Sequence, residues 1–258
     1  MSVPLNILLK KPRMIMFDYG HTLLAELGFS SLRGMEAVMK YVTSNPLNLT
    51  VGQVNEFVEG LYEDISAQTK PVGLEINNIA LTRLVYEYQR LEFSLSYQEL
   101  EQVWWDACAP GAYLPHVREM LAFLRENGVR TGIISNMSYS GASMRVRINQ
   151  FFPEHPFEFI MVSSDYLLRK PARLLFETAL RKADLPAEDV WFCGDSVIAD
   201  IPGAASAGIF PVWYEDLTMR NEFAAPHGII PEADHLHIHD WLELVDVLRK
   251  CEIGVIRQ

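Results

Sequence analysis

Four short stretches of the chain combine reactive residue types with the position that such residues need. Asp18 closes the apolar run from Met14 to Phe17 and is followed by Thr22. Ser135 closes a second run, from Val129 to Ile134. Lys170 lies beyond a third, from Phe157 to Val162, and Asp195 and Asp200 lie beyond a fourth, from Val190 to Cys193. Short apolar runs bounded by turn residues read as buried strands. All four groups therefore stand at or past the carboxyl end of a strand, the edge at which open parallel sheets bind ligands. Taken singly, each residue has an ordinary structural reading. An Asp after a strand makes an Asx turn or a helix cap, Ser135 and Asp195 suit caps, and Lys170 and Asp200 suit solvated surfaces. It is the joint arrangement of carboxylates, ammonium and hydroxyls that points to one site.

The elements that must position these groups change character along the chain. From about Leu24 to Gly111 the pattern is helical. Thr50-Val51-Gly52-Gln53 and Ser96-Tyr97-Gln98-Glu99 are capping boxes, in which a hydroxyl and a side-chain oxygen three residues on satisfy orphan N–H groups reciprocally. Val54, Phe57, Val58, Leu61, Tyr62 and Ile65 follow the first at helical spacing, and Leu100, Val103, Trp104 and Ala107 follow the second. From Tyr113 helix and strand alternate. A helix stripe from Val117 to Leu124 stops at Gly128, helices are expected over 172–183 and 198–207, and further strands over 210–213 and 235–238, with Asp240 capping a last helix. Strands alternating with helices imply an α/β fold, a parallel sheet covered by helices on both faces. The helical stretch then interrupts that sheet after its first strand.

The motifs, in this order, resemble those of the haloacid dehalogenase-like superfamily, whose members are mostly phosphatases. The first is similar to Phe17-Asp18-Tyr19-Gly20-His21-Thr22-Leu23, the second to Ile133-Ile134-Ser135-Asn136, the third to Arg169-Lys170-Pro171, and the fourth to Gly194-Asp195-Ser196-Val197-Ile198-Ala199-Asp200-Ile201. The resemblance implies a Rossmann-like core built from residues 1–23 and 113–258 and an all-helical cap from 24–112. It implies Asp18 as a nucleophile that forms an aspartyl-phosphate on a small phosphorylated substrate. Mg2+ would be held by Asp18, the Gly20 carbonyl, Asp195 and Asp200, the last directly or through water. Ser135 and Lys170 would stabilise the transferring group, with Thr22 and Asn136 beside it as phosphate-binding residues.

The chain departs from that pattern at Gly20. The family's phosphatases carry a second Asp there, which protonates the leaving oxygen and later activates water. Losing a positioned acid–base costs on the order of 10²–10⁴ in rate. His21 is the substitute at hand, since imidazole titrates near neutral pH. Two other readings follow from Gly20: a metal- and phosphate-binding relative of weak turnover, and a dehalogenase-type hydrolase. For the latter the family's Tyr-Gly pair is displaced by one residue at Tyr19, and Asp195 and Asp200 have no role. Phosphonatase chemistry would need a lysine in the insertion, where only Lys40 and Lys70 stand.

Charge and composition remove other classes. A formal charge of −11 over 258 residues argues against nucleic acid and against an anionic membrane surface. Cys108, Cys193 and Cys251 are too dispersed for a zinc site or a disulfide framework. The N-terminal apolar stretch is too short for a signal core, and no run is long enough to span a bilayer, so a cytoplasmic protein is expected. His235, His237 and His239 alternate, which puts all three on one side of a strand. That pattern reads either as a metal site or as an ordinary last strand, and the strand is expected, since alternate strand residues lie too far apart for three to chelate one ion easily. Trp104 and Trp105 are expected in the insertion's own core, and Arg33, Arg83 and Arg90 are its candidates for anion contacts.

Overall fold

The computed structural model describes residues 9–217, 229 and 231–253. The N-terminal stretch 1–8 read above lies outside the described residues. In chain order, β1 (Met14–Phe17) leads into β2 (Leu24–Glu26), α1 (Ser31–Val38), β3 (Val42–Ser44), α2 (Val51–Thr69), α3 (Asn78–Tyr88), β4 (Glu92–Phe93), α4 (Tyr97–Cys108) and β5 (Gly111–Tyr113). There follow α5 (Val117–Glu126), β6 (Arg130–Ser135), α6 (Gly141–Phe151), β7 (Ile160–Val162), α7 (Ser163–Tyr166), α8 (Arg173–Ala183), β8 (Val190–Gly194), α9 (Asp200–Ser206), β9 (Phe210–Tyr214), β10 (Leu236–Ile238) and α10 (Trp241–Ile253).

Six strands form one parallel sheet in the order β10-β9-β8-β1-β6-β7. The chain builds outward from β1 to β6 and β7, then crosses back to β8, β9 and β10. This makes the carboxyl end of β1 the switch point, where a crevice opens in such sheets. The four residues of β1 are fully buried and alternate between two cores. Ile15 and Phe17 face one that holds Met120, Leu124, Met144, Ile148 and Trp241, from α5, α6 and α10. Met14 and Met16 face another that holds Leu175, Phe176, Ala179 and Ala204, from α8 and α9. The period of two in the strand thus covers both faces with helices, as an α/β fold requires.

Between β1 and β5 the chain makes α1 to α4 around a separate apolar cluster, which includes Met35, Val38, Val54, Val85, Tyr86 and Leu100. Both expected capping boxes form, at Thr50 and at Ser96. Two short antiparallel ribbons were not legible in the sequence. β3 pairs with β4 within this segment, and β2 pairs with β5, so the passages into and out of the segment run side by side.

The helix α6 was also missed. Its buried face contains Ser143 and Arg147 beside Met144 and Ile148, which breaks the apolar stripe by which a helix is recognised. Among the described residues no helix is long and apolar enough to cross a membrane.

Candidate active site

The register of the sheet brings the sequence-distant groups together. Asp18 follows β1 directly, and its N–H donates to the Cys193 carbonyl at 2.9 Å, which extends the ladder to β8 by one bond. Ser135, the last residue of β6, donates from Oγ to Asp18 Oδ1 at 3.1 Å. Lys170 donates from Nζ to the same oxygen at 2.6 Å. Two bonds to one oxygen fix the plane of the carboxylate. Lys170 is itself buried, and its ammonium lies 2.6 Å from Asp200 Oδ1. Burial works against the Lys170 charge, but Asp18 and Asp200 outweigh it and hold its pKa above the ordinary lysine value. The Lys170 backbone is pinned in turn by Asn136, whose Oδ1 accepts from Lys170 N at 2.7 Å and whose Nδ2 donates to Lys170 O at 3.0 Å.

Asp200, the first residue of α9, is fully buried, and its Oδ2 accepts from the Ser196 N–H at 2.9 Å. Ligand oxygens of Asp18, Asp195 and Asp200 all lie within 4.8 Å of one another. Carboxylates so close repel. Burial, then Asp18 and Asp200, push Asp195 well above the usual carboxylate range, against the pull of Lys170. Burial and Asp18 likewise raise Asp200, again against Lys170. Three converging carboxylates with one ammonium among them form an all-oxygen, electron-rich donor set, which fits a hard divalent cation such as magnesium.

Other expected site residues are placed differently. Gly20 and His21 line the cavity in front of Asp18. His21 takes a left-handed backbone with φ 52°, and its N–H donates to the Leu24 carbonyl at 2.8 Å. Burial lowers the imidazole pKa, with Asp18 and Asp216 opposing. Thr22, expected at the phosphate, is instead fully buried and is not among the cavity-lining residues; its carbonyl accepts from Trp241 Nε1 at 3.1 Å. The turn after Gly20 sends it inward. Asn136 does line the cavity, but its amide is engaged by the Lys170 backbone. Arg33 is bonded to the carbonyls of Gly28, Ala107 and Cys108, and Arg83 stacks on Tyr97, so neither faces the cavity. Arg90 lines a different hollow, beside Glu92 and Ser96.

The cavity has a volume of about 860 Å³ and is walled jointly by the sheet's carboxyl edge and by α1 to α4. Several residues that close it carried no sequence signal. Glu75, from the loop before α3, forms an ion pair with Arg169 and accepts from Ser163 Oγ at 2.7 Å. The Asn78 N–H donates to the Ser138 carbonyl at 2.9 Å. Glu101 on α4 accepts from Ser140 Oγ at 2.5 Å and from Ser143 Oγ at 2.7 Å. Tyr19 and Glu26 also line the cavity: the Tyr19 hydroxyl accepts from Arg147 Nε at 2.6 Å, and Glu26 accepts from Trp105 Nε1 at 2.8 Å. A charged or amide residue in a loop or on a helix reads as solvated until its partner is known, and these partners lie 39 to 128 residues apart. Trp104 packs against the insertion's own cluster, as expected, and also lines the cavity, whereas Trp105 is buried in the cluster that Ile15 and Phe17 face.

A family model described as haloacid dehalogenase-like hydrolase matches residues 64–213, more than half of the chain. The chain belongs to the haloacid dehalogenase-like hydrolase family. This family member is 26% identical over 194 residues to the pyrimidine 5′-nucleotidase YjjG of Escherichia coli (strain K12), across 71% of this chain and 82% of that one. It is 32% identical over 110 residues to a glyceraldehyde 3-phosphate phosphatase of Pyrococcus abyssi, a match that spans 40% of this chain and 44% of that protein. Among solved structures, a 2-haloacid dehalogenase from Pseudomonas syringae pv. Tomato DC3000 shares the fold at a TM-score of 0.59 and 21% identity, over 94% of this chain and 99% of that one.

Proposed function

We propose that this hydrolase is a magnesium-dependent phosphomonoesterase acting on a small substrate through a phosphorylated Asp18. The observation that carries the reading is the convergence on Asp18: Ser135 Oγ at 3.1 Å, Lys170 Nζ at 2.6 Å, and Asp195 and Asp200 within 4.8 Å. The relatives named as a nucleotidase and a phosphatase support the same reaction class. Asp195 and Asp200 weigh against a dehalogenase, which has no use for two further carboxylates.

In this reading an Asp18 oxygen attacks phosphorus, the bond from phosphorus to the leaving oxygen breaks, and a water molecule later hydrolyses the aspartyl-phosphate. Asp18, Asp195, Asp200 and the Gly20 carbonyl would hold a magnesium ion, which would supply positive charge to offset the repulsion of carboxylate and phosphoryl dianion. Ser135 and Lys170 hold the carboxylate plane and lie within reach of a phosphoryl group bonded to it. Lys170 offsets part of the negative charge. His21, kept neutral by its burial, is suited to take a proton from the attacking water and poorly suited to protonate the leaving oxygen. Substrates whose leaving group needs no proton are therefore favoured.

We assign residues 24–112 as a cap over a core of 1–23 and 113–258. The separate apolar cluster of α1 to α4 and the β2–β5 ribbon at its root support this division. The cavity's size is ordinary for a small-molecule site. Its lining includes Phe29, Tyr62, Trp104 and Tyr139, which suits a leaving group with an apolar or aromatic part. Buried thiols at Cys108, Cys193 and Cys251 agree with a reducing, cytoplasmic setting.

Turnover of p-nitrophenyl phosphate with and without magnesium, in the wild type and in Asp18→Asn, tests the proposal. It predicts magnesium-dependent turnover that falls by about 10³ or more in the variant. Magnesium binding without turnover of any ester would support the weak-turnover relative, and metal-independent halide release would support the dehalogenase.

A further inference from the structure

The outer edge of the sheet carries a second group of metal-ligating side chains, different in chemistry from the three carboxylates. β10 runs parallel to β9, with His237 opposite Trp213 and Ile238 opposite Tyr214. His237 lies within β10 and His239 one residue past its end, and their ring centroids are 4.5 Å apart. Glu215, one residue past β9, comes alongside both. Its Oε2 lies 2.9 Å from His237 Nε2 and 3.6 Å from His239 Nδ1, whose nearer neighbour is the Glu215 carbonyl at 3.1 Å, a hydrogen bond that a bound ion would replace. One ligand atom from each of the three lies within 4.8 Å of the others. A tetrahedral ion with bonds of about 2.0–2.1 Å to nitrogen and oxygen spaces its ligand atoms about 3.4 Å apart. The two observed separations bracket that spacing.

The surroundings hold the set in place. The Trp213 ring stacks on His237 at 3.9 Å and 8°, which fixes the imidazole plane. His235 does not take part: it is buried, with Nδ1 2.8 Å from the Ala233 carbonyl. The three alternating histidines therefore do not form the set among themselves. The third ligand comes from the neighbouring strand instead.

We propose that Glu215, His237 and His239 form a site for a divalent transition ion of the zinc type, with one coordination position left open. Two imidazoles and a carboxylate suit a borderline-soft ion, whereas Asp18, Asp195 and Asp200 offer only oxygen and suit magnesium. The two sets thereby sort ions by donor type. The ligands are partly exposed, with side-chain exposures of 42% for Glu215, 25% for His237 and 41% for His239, so an ion reaches them without any opening of the fold.

The test is a zinc titration of the full-length protein, stripped of metal and then held in excess magnesium, against a chromophoric chelator. One tightly bound equivalent is expected in the wild type and in Asp195→Asn. His237→Ala and His239→Ala should each weaken it by at least about a hundredfold, beyond the 10–100-fold that loss of an outer hydrogen-bond partner costs. His116→Ala, which removes a nearby imidazole paired with Asp240, should leave it unchanged. The proposal is overturned if the wild type binds no such equivalent. It is equally overturned if the equivalent survives both histidine substitutions and disappears in Asp195→Asn. Cobalt added to the wild type gives a reading that needs no variant to fold. Intense visible absorption is expected of a four-coordinate site, and the weak absorption of six-coordinate cobalt would contradict the assignment.

Discussion

The carboxylate of Asp200 fills the space that a side chain on Gly194 would take. A Cβ built on Gly194 falls 2.8 Å from Asp200 Cβ and nearer still to its Oδ2, closer than folded proteins tolerate. The glycine at the end of β8 thus lets Asp200 reach back toward Lys170 and Asp18. Gly194→Ala must displace that carboxylate. The magnesium concentration for half-maximal turnover is expected to rise by at least about tenfold, with stability lowered by about 1–3 kcal/mol from overpacking. A thermal melt and a magnesium titration of activity check both. An unchanged magnesium requirement would contradict the role given to Asp200.

The crowding of carboxylates also sets a pH dependence. Asp195 and Asp200 have folded pKa values raised above those of the unfolded chain, chiefly by burial and by Asp18. The folded state therefore keeps protons that the unfolded chain has lost, and stability falls as pH rises from about 4 through the raised values. Lys170 has the same sign in another window. Its raised pKa gives a contribution that is complete below the unfolded lysine value and is lost only as pH rises through the folded one. Melting temperature in EDTA should thus fall from about pH 4 toward neutrality. Saturating magnesium should remove that slope. A melting curve indifferent to magnesium at neutral pH would count against a cation among these carboxylates.

A Cβ at Gly20 meets nothing within 4 Å. The missing acid can therefore be supplied. Gly20→Asp should raise turnover of an alkyl phosphate such as glycerol phosphate, with the effect of a positioned acid–base, about 10²–10⁴, as its ceiling. It should change p-nitrophenyl phosphate turnover much less, because that leaving group departs unprotonated. An unchanged ratio of the two substrates would show that leaving-group protonation does not limit the wild type.

What the sequence made legible is what local rules govern. β1 and β8 read as strands because they are short and apolar on both faces, and Thr50 and Ser96 read as helix starts because capping is settled within four residues. Asp18, Ser135, Lys170, Asp195 and Asp200 share a position at or past strand ends, which the parallel register turns into proximity. Thr22 was misplaced because one turn past Gly20 decides whether it faces the cavity or the core. Glu75, Arg147 and Glu101 escaped notice because each owes its burial to a partner far along the chain. The ribbon of β2 with β5 was invisible for the same reason: three-residue strands carry no periodicity of their own.

The central claim is that Asp18 is phosphorylated during turnover. The most direct measurement is chemical trapping: quench the enzyme while it turns over an aryl phosphate with magnesium, reduce with borohydride, and map peptides by mass. An acyl phosphate on Asp18 is reduced to homoserine, so the account predicts homoserine at position 18, dependent on substrate. It also predicts more of it in His21→Ala, where hydrolysis of the phosphoenzyme is slowed. Turnover with an unmodified Asp18 under every quench condition, or homoserine at another aspartate, would contradict the account.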